Sequence, residues 1–274
     1  MDKLVQKITT LKQEFVKAYT GNAHIQEILP LNSSDSFNID SDHLRKLHEF
    51  ATKNPIYYNH YEEKVSDTSC IVYEGDINQY WLNSIKHGSS CQPFYPTWMI
   101  SAYLMSNIAK SLGCRELVDI GSGDGRIAYS GKILDMITQS IEIDEMLVDL
   151  QNVIVAQTNQ NFDPTCNDAL EFDYSQLELT SPAFFIGGLP QMGGDLLATS
   201  IIEKIKGISD LKENTCIVFA GTHAKRQLSN NLDDGGWSDL IDKHNLKVIQ
   251  TASLPAVWTF DQKVETPYIF TKFN

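Results

Sequence analysis

The chain has 274 residues, 42% hydrophobic and 10% aromatic, which is enough apolar material for one large α/β domain or a catalytic domain with an appendage. Its 16 glycines and nine prolines are ordinary usage and exclude collagen-like and low-complexity chains. The formal net charge is −13, carried mostly by residues 91–274, which argues against a surface built to grip nucleic-acid phosphates and favours a cationic partner.

Residues 3–19 place Leu4, Ile8, Leu11 and Phe15 at helical spacing and predict an amphipathic helix. Residues 20–40, rich in Asn, Ser, Asp and Gly, read as a loop. Asp40 or Ser41 caps a helix over 42–53 that presents Leu44, Leu47 and Ala51 and stops at Asn54-Pro55. Residues 55–90 hold many aromatics, among them Tyr57, Tyr58, Tyr61, Tyr73, Tyr80 and Trp81, but their periodicity is too weak to place an element. The N-terminus is charged throughout, without the apolar run of a signal peptide. The longest stretch free of charge and histidine, Gly88 to Ala109, reads as a loop and a buried helix rather than a membrane span.

From Pro96 the pattern changes. Trp98 to Lys110 predicts a helix that is apolar on most sides. Strands follow at Glu116–Ile120, Gln139–Ile143, near Pro164–Asn167, at Ala183–Ile186 and at Thr215–Ala220, with helical stretches such as 145–157 between them. This alternation predicts an α/β fold, a doubly wound and mostly parallel sheet with helices on both faces. Leu246–Thr251 and Tyr268–Lys272 have no helix between them and suggest a closing β-hairpin. The five cysteines are odd in number and widely spaced, with no CxxC pair; they point to buried thiols in a reducing, cytoplasmic setting and to no metal site.

The most informative run is Leu117-Val-Asp-Ile-Gly-Ser-Gly-Asp-Gly-Arg126. Gly121, Gly123 and Gly125 follow a strand and precede a helix, where glycine lets the backbone turn tightly and approach a ligand. Position 126 is arginine, so the dinucleotide pattern GxGxxG is broken, and no GxxxxGK[ST] run exists. Asp119 beside these glycines disfavours a pyrophosphate and suits an ammonium. Glu142, 23 residues on and ending the second strand, can take both hydroxyls of a ribose, and Asp168 after the third strand can accept from an adenine amine. Ammonium, ribose and adenine together describe S-adenosylmethionine (SAM).

Through DIGSGDG (119–125), IEID (141–144), NDALEFD (167–173) and the terminal hairpin, residues 93–274 resemble the class I, seven-stranded SAM-dependent methyltransferases. The resemblance implies a seven-stranded Rossmann-like sheet with an antiparallel last strand. It places Gly121, Ser122 and Gly123 at the methionine part of SAM, Glu142 at the ribose, Ile143 against the adenine, and Asp168 and Ala169 at the base edge. Upstream, Pro93-Phe-Tyr-Pro-Thr97 followed by a helix and DIGSGDGRI is similar to the archaeal and non-SET protein-lysine methyltransferases. That likeness implies that Thr97 reaches the methionine end and Tyr95 lines the site. Residues 1–92 then form a mainly helical lid or substrate module, and residues 93–274 the methyltransferase domain.

Methyl transfer from a sulfonium is an in-line displacement, so the acceptor must be held close to the methyl carbon and desolvated; a base is optional for an amine. No motif names a catalytic group. Tyr95, His223 just past the fifth strand, and Trp258 between the last two strands are the candidates, with core packing the plainer role for the tryptophan. Gly187-Gly188-Leu189-Pro190 lacks the polar-Pro-Pro-aromatic box of enzymes that methylate base amines; its glycines either let a substrate pass or simply turn the chain. The expected reaction is therefore methyl transfer to a protein lysine. A small-molecule acceptor is the alternative, ahead of RNA methylation, aminopropyl transfer or a non-catalytic SAM-binding subunit.

Overall fold

A computed structural model describes residues 2–34, 37–84, 93–188, 193–208, 211, 213–221, 236–255 and 265–274. The N-terminal part runs α1 (Asp2–Ala18), β1 (Ile25–Pro30), α2 (Ser41–Lys53), β2 (Tyr57–Val65), β3 (Thr68–Gly75) and α3 (Asn78–Ser84). Helix α1 buries Ile8, Leu11 and Phe15 as its spacing demands. Helix α2 starts at Asp40, whose carboxylate accepts from the Asp42 and His43 amides, and stops at Asn54.

Two readings of this part change. The stretch 20–40 is not all loop, because it contains β1, and residues 57–75 form the hairpin β2–β3. The three strands make an antiparallel sheet of order β1-β3-β2 beside the expected helices. Strand β1 is buried along its whole length, so it lacks the alternation that announces a half-exposed strand. Strand β2 is an edge strand with an exposed middle, which erases its alternation in the opposite way.

The C-terminal part runs α4 (Met99–Ser111), β4 (Glu116–Ile120), α5 (Arg126–Ile133), β5 (Ile137–Glu142), α6 (Glu145–Thr158), β6 (Pro164–Cys166), a 3₁₀ turn (Tyr174–Gln176), β7 (Pro182–Ile186), α7 (Gly194–Lys206), β8 (Cys216–Ala220), α8 (Ser238–His244), β9 (Leu246–Pro255) and β10 (Glu265–Phe273). Its seven strands have the order β6-β5-β4-β7-β8-β10-β9. The neighbours from β6 to β8 pair in parallel, and β10 pairs antiparallel with both β8 and β9. This is the doubly wound sheet with an antiparallel last strand that the sequence predicts.

Successive side chains of each strand enter opposite layers. Leu117, Phe185, Val218 and Phe270 join one core, shared by α4, α5, α6 and residues of the N-terminal part such as Ile8, Leu47 and Val72. Val118, Phe184, Phe219 and Ile269 join the other, under α7 and α8. Residues 2–84 therefore share a continuous core with one face of the sheet. The chain leaves β4 toward β5 on one side and returns through β7 on the other, so the order reverses between β4 and β7. In open α/β sheets ligands bind at that point, beyond the carboxyl ends of the strands.

Candidate functional site

The glycine loop leaves β4 at this switch point. Gly121, Gly123 and Gly125 all have positive φ, +67°, +59° and +76°. Space is also short at two of them. A Cβ on Gly123 would lie 2.6 Å from the Phe94 ring, and one on Gly125 would lie 2.4 Å from Phe162. The first residue after β7 approaches the same loop: the Gly187 amide donates to the Ile120 carbonyl (2.8 Å), and a Cβ there would meet the Ile120 and Gly121 carbonyl oxygens at 2.9 Å. Close backbone approach is thus the reason for Gly187. Leu189 and Pro190 lie outside the described residues.

Glu142 ends β5, and its carboxylate ties that strand to the loop. Oε2 accepts from the Gly123 amide (2.8 Å), and Oε1 accepts from the Ile143 and Asp144 amides (2.9 and 3.1 Å). A carboxylate has about four acceptor positions, so Oε2 keeps capacity for a ligand hydroxyl. Burial raises the Glu142 pKa, and the three amides pull it back.

Asp119 is 2% exposed and accepts from the Ala128 amide in the first turn of α5 (3.2 Å). Burial pushes it up to about 8 against the pull of that amide, and the charges acting on it, Glu142 and Asp124, are negative and push the same way. Two buried carboxylates thus flank the glycine loop, and Glu142 acts electrostatically on Asp119.

Ser122 is buried, and its hydroxyl accepts from Gln151 Nε2 (3.0 Å). The same Gln151 donates to the Gly123 carbonyl (2.8 Å) and accepts from Ser140 (2.7 Å), so one side chain of α6 braces the loop against β5. Sequence reasoning missed this brace. Its signal is a glutamine set four residues after Leu147 and three before Ile154, on the buried face of α6.

Beyond β5 and β6 the expected residues follow in order. Ile143 is half-buried, Asp168 is half-buried and accepts from the Leu170 amide (2.8 Å), and Ala169 is buried. The Asn167 amide donates to the Glu142 carbonyl (2.9 Å), which brings this stretch to the end of β5.

Upstream residues cover the loop. Phe94 packs on Gly123, its amide held by Ser84 Oγ of α3 (2.8 Å), and Asn83 of α3 donates to both oxygens of Asp144, the cap of α6 (2.9 and 2.8 Å). Thr97 is half-buried; its carbonyl accepts from Arg126, and its side chain bonds the Tyr268 phenol of β10. Tyr95 is exposed at 38%. His223 and Trp258 lie outside the described residues. Among the described residues no cluster of His, Cys, Asp or Glu suits a metal ion, and no helix is long and apolar enough to cross a membrane.

No protein-family model matches the chain, and no curated protein matches it. Solved structures do. A mutant of MtNAS in complex with S-adenosylmethionine matches at 14% identity and TM-score 0.44, over 65% of this chain and 64% of that one. A putative RNA methyltransferase from Pyrococcus horikoshii matches at 14% and 0.49, over 71% and 96%. An O-methyltransferase from Bacillus cereus in complex with SAH matches at 12% and 0.49, over 66% and 84%. The chain thus spans somewhat under two thirds of the MtNAS structure. The doubly wound sheet is defined by its own strand order and directions.

Proposed function

We propose that this chain is a SAM-dependent methyltransferase whose acceptor is a protein lysine amine. One observation carries the cofactor half. Asp119 and Glu142 are both buried, both raised by burial, and both next to a glycine loop at the sheet's switch point. A buried carboxylate without a counter-charge is costly, and a ligand bearing an ammonium and ribose hydroxyls relieves both sites at once. When bound, SAM supplies an activated methyl group on a sulfonium.

The residues of the chain do the rest. Asp119 draws the ammonium, Glu142 takes the ribose, and Ile143 with Asp168 and Ala169 receives the base. Phe94 and α3 cover the loop and keep water from it. Support for lysine comes from the PFYPT run, which lies over the glycine loop through Phe94 and beside it through Thr97, and from the acidity of the chain. The division of labour follows: residues 93–274 bind the cofactor, and residues 1–92 act as lid and substrate module.

A second reading, a small acceptor, has its own support. The ties of Asn83 to Asp144 and of Phe94 to Ser84 hold α3 down over the loop, as a closed pocket for a small molecule requires.

Transfer of labelled methyl from SAM into a cell extract, split into protease-treated and nuclease-treated halves, tests the proposal. Label that protease removes and that mass spectrometry finds on lysine is the expected result. Nuclease-sensitive label would overturn the protein acceptor, and label confined to small molecules would favour the second reading.

A further inference from the structure

The Asp-Gly-Arg end of the glycine loop is sealed from solvent. Asp124 is 0% and Arg126 2% exposed. All five N–H donors of Arg126 are engaged. Nε and Nη2 grip the two oxygens of Asp124 (2.9 and 2.6 Å); Nη1 donates to Glu27 Oε2 (3.2 Å) and to the Thr97 carbonyl (2.5 Å); Nη2 also donates to the Tyr57 phenol (3.2 Å). Asn54, at the end of α2, donates to Asp124 Oδ2 (2.8 Å). Glu27, itself fully buried in β1, also accepts from the Met99 amide at the start of α4 (2.9 Å). Lys12 of α1, buried over the Trp98 ring, acts electrostatically on Glu27. Burial pushes Glu27 up to about 7 and Lys12 down to about 8, and each draws the other back toward its charged form, so two buried bases and two buried acids balance one another across α1, β1 and the loop.

Asp124 stands between Gly123, whose amide donates to Glu142, and Gly125, and both glycines have positive φ. Whatever fixes the Asp124 side chain therefore fixes the backbone of the cofactor loop. We propose that Lys12, Glu27, Asn54 and Tyr57 are positioning residues of the cofactor site, acting through Arg126 and Asp124, so that the N-terminal part is a structural half of that site and not only a cover for the acceptor. The proposal rests on the reading of the glycine loop as a SAM site.

The test is calorimetric titration of the full chain with S-adenosylhomocysteine (SAH), in the wild type, Glu27→Gln, Lys12→Met, the double variant and Asn54→Ala, with folding of each followed by near-UV circular dichroism. Glu27→Gln leaves an unbalanced buried cation and weakens SAH binding at least tenfold. Adding Lys12→Met restores the balance and brings affinity back to within threefold of the wild type, a rescue that loss of packing alone would not give. Asn54→Ala, which removes no charge, weakens binding three- to tenfold and decides the matter alone if Glu27→Gln does not fold. Wild-type affinity in folded Glu27→Gln and Asn54→Ala, or no rescue in the double variant, would overturn the proposal. A wild-type chain that binds no SAH would overturn the cofactor reading on which it rests.

Discussion

Asp119 near the end of β4 and Asp124 in the loop that follows are both buried, and they meet opposite surroundings. Asp124 is gripped by Nε and Nη2 of Arg126 and by Asn54. Among the described residues Asp119 accepts from one backbone amide, and the charges acting upon it are negative. The difference teaches how one short motif is divided. Its inner side is a finished ion pair, whereas its outer side, among the described residues, is held short of a cation that a ligand can supply. Burial in low dielectric makes both arrangements consequential, since a buried charge that loses its partner costs several kcal/mol.

Breaking the finished side has the largest expected effect. Arg126→Met leaves Asp124 and Glu27 without their shared cation and lowers folding stability by about 3–5 kcal/mol, measurable by urea denaturation with the wild type alongside. The same experiment on the unfinished side goes the other way. The folded-state pKa of Asp119, about 8, lies above the ordinary carboxylate value of about 3.9, so the stability tied to its proton is full below pH 4 and is lost as pH rises toward 8. Asp119→Asn has no such loss. Its stability relative to the wild type therefore rises from pH 4 to pH 8, while its SAH affinity falls by about 1.5 kcal/mol or more through loss of a charge-assisted bond. A variant that lost stability and affinity together would erase the distinction between the two sides.

Glu142→Ala sharpens the comparison at the neighbouring strand. It removes the proposed ribose contact and weakens SAM binding by at least ~1.5 kcal/mol. Unchanged affinity would mean that the ribose lies elsewhere. The smallest effect is a proton. A cationic ligand beside Asp119 favours the carboxylate, so binding at pH 7 releases close to one proton, and affinity rises from pH 5.5 to 7. Calorimetry in two buffers of different ionisation heat reads the release directly, and heats that do not depend on the buffer would contradict it.

How much of this the sequence revealed follows from where each residue's signal sits. Strands β4, β7 and β8 are buried on both faces and read as short apolar runs between glycines and helices, so their boundaries were legible within one or two residues. Asp119 and the three glycines stood out by their spacing within one motif, and Glu142 by ending the next strand. The partners of Asp124 and Arg126 did not, because Glu27, Asn54 and Tyr57 lie 69–99 residues away from the side chains they bond. Glu27 also sits in a six-residue strand that passed for loop, and Asn54 carried a sufficient local meaning as the stop of α2. Local pattern shows which residues a helix or strand buries. It does not show which buried charges meet across the sheet.

Direct titration most plainly tests the proposal that the unfinished side of this loop awaits SAM. SAM, SAH and NAD are titrated separately into the full chain at pH 7.5. Saturable binding of SAM and SAH at one site per chain, with none of NAD, is the predicted result. No binding of SAM and SAH, or tighter binding of NAD, would contradict the account.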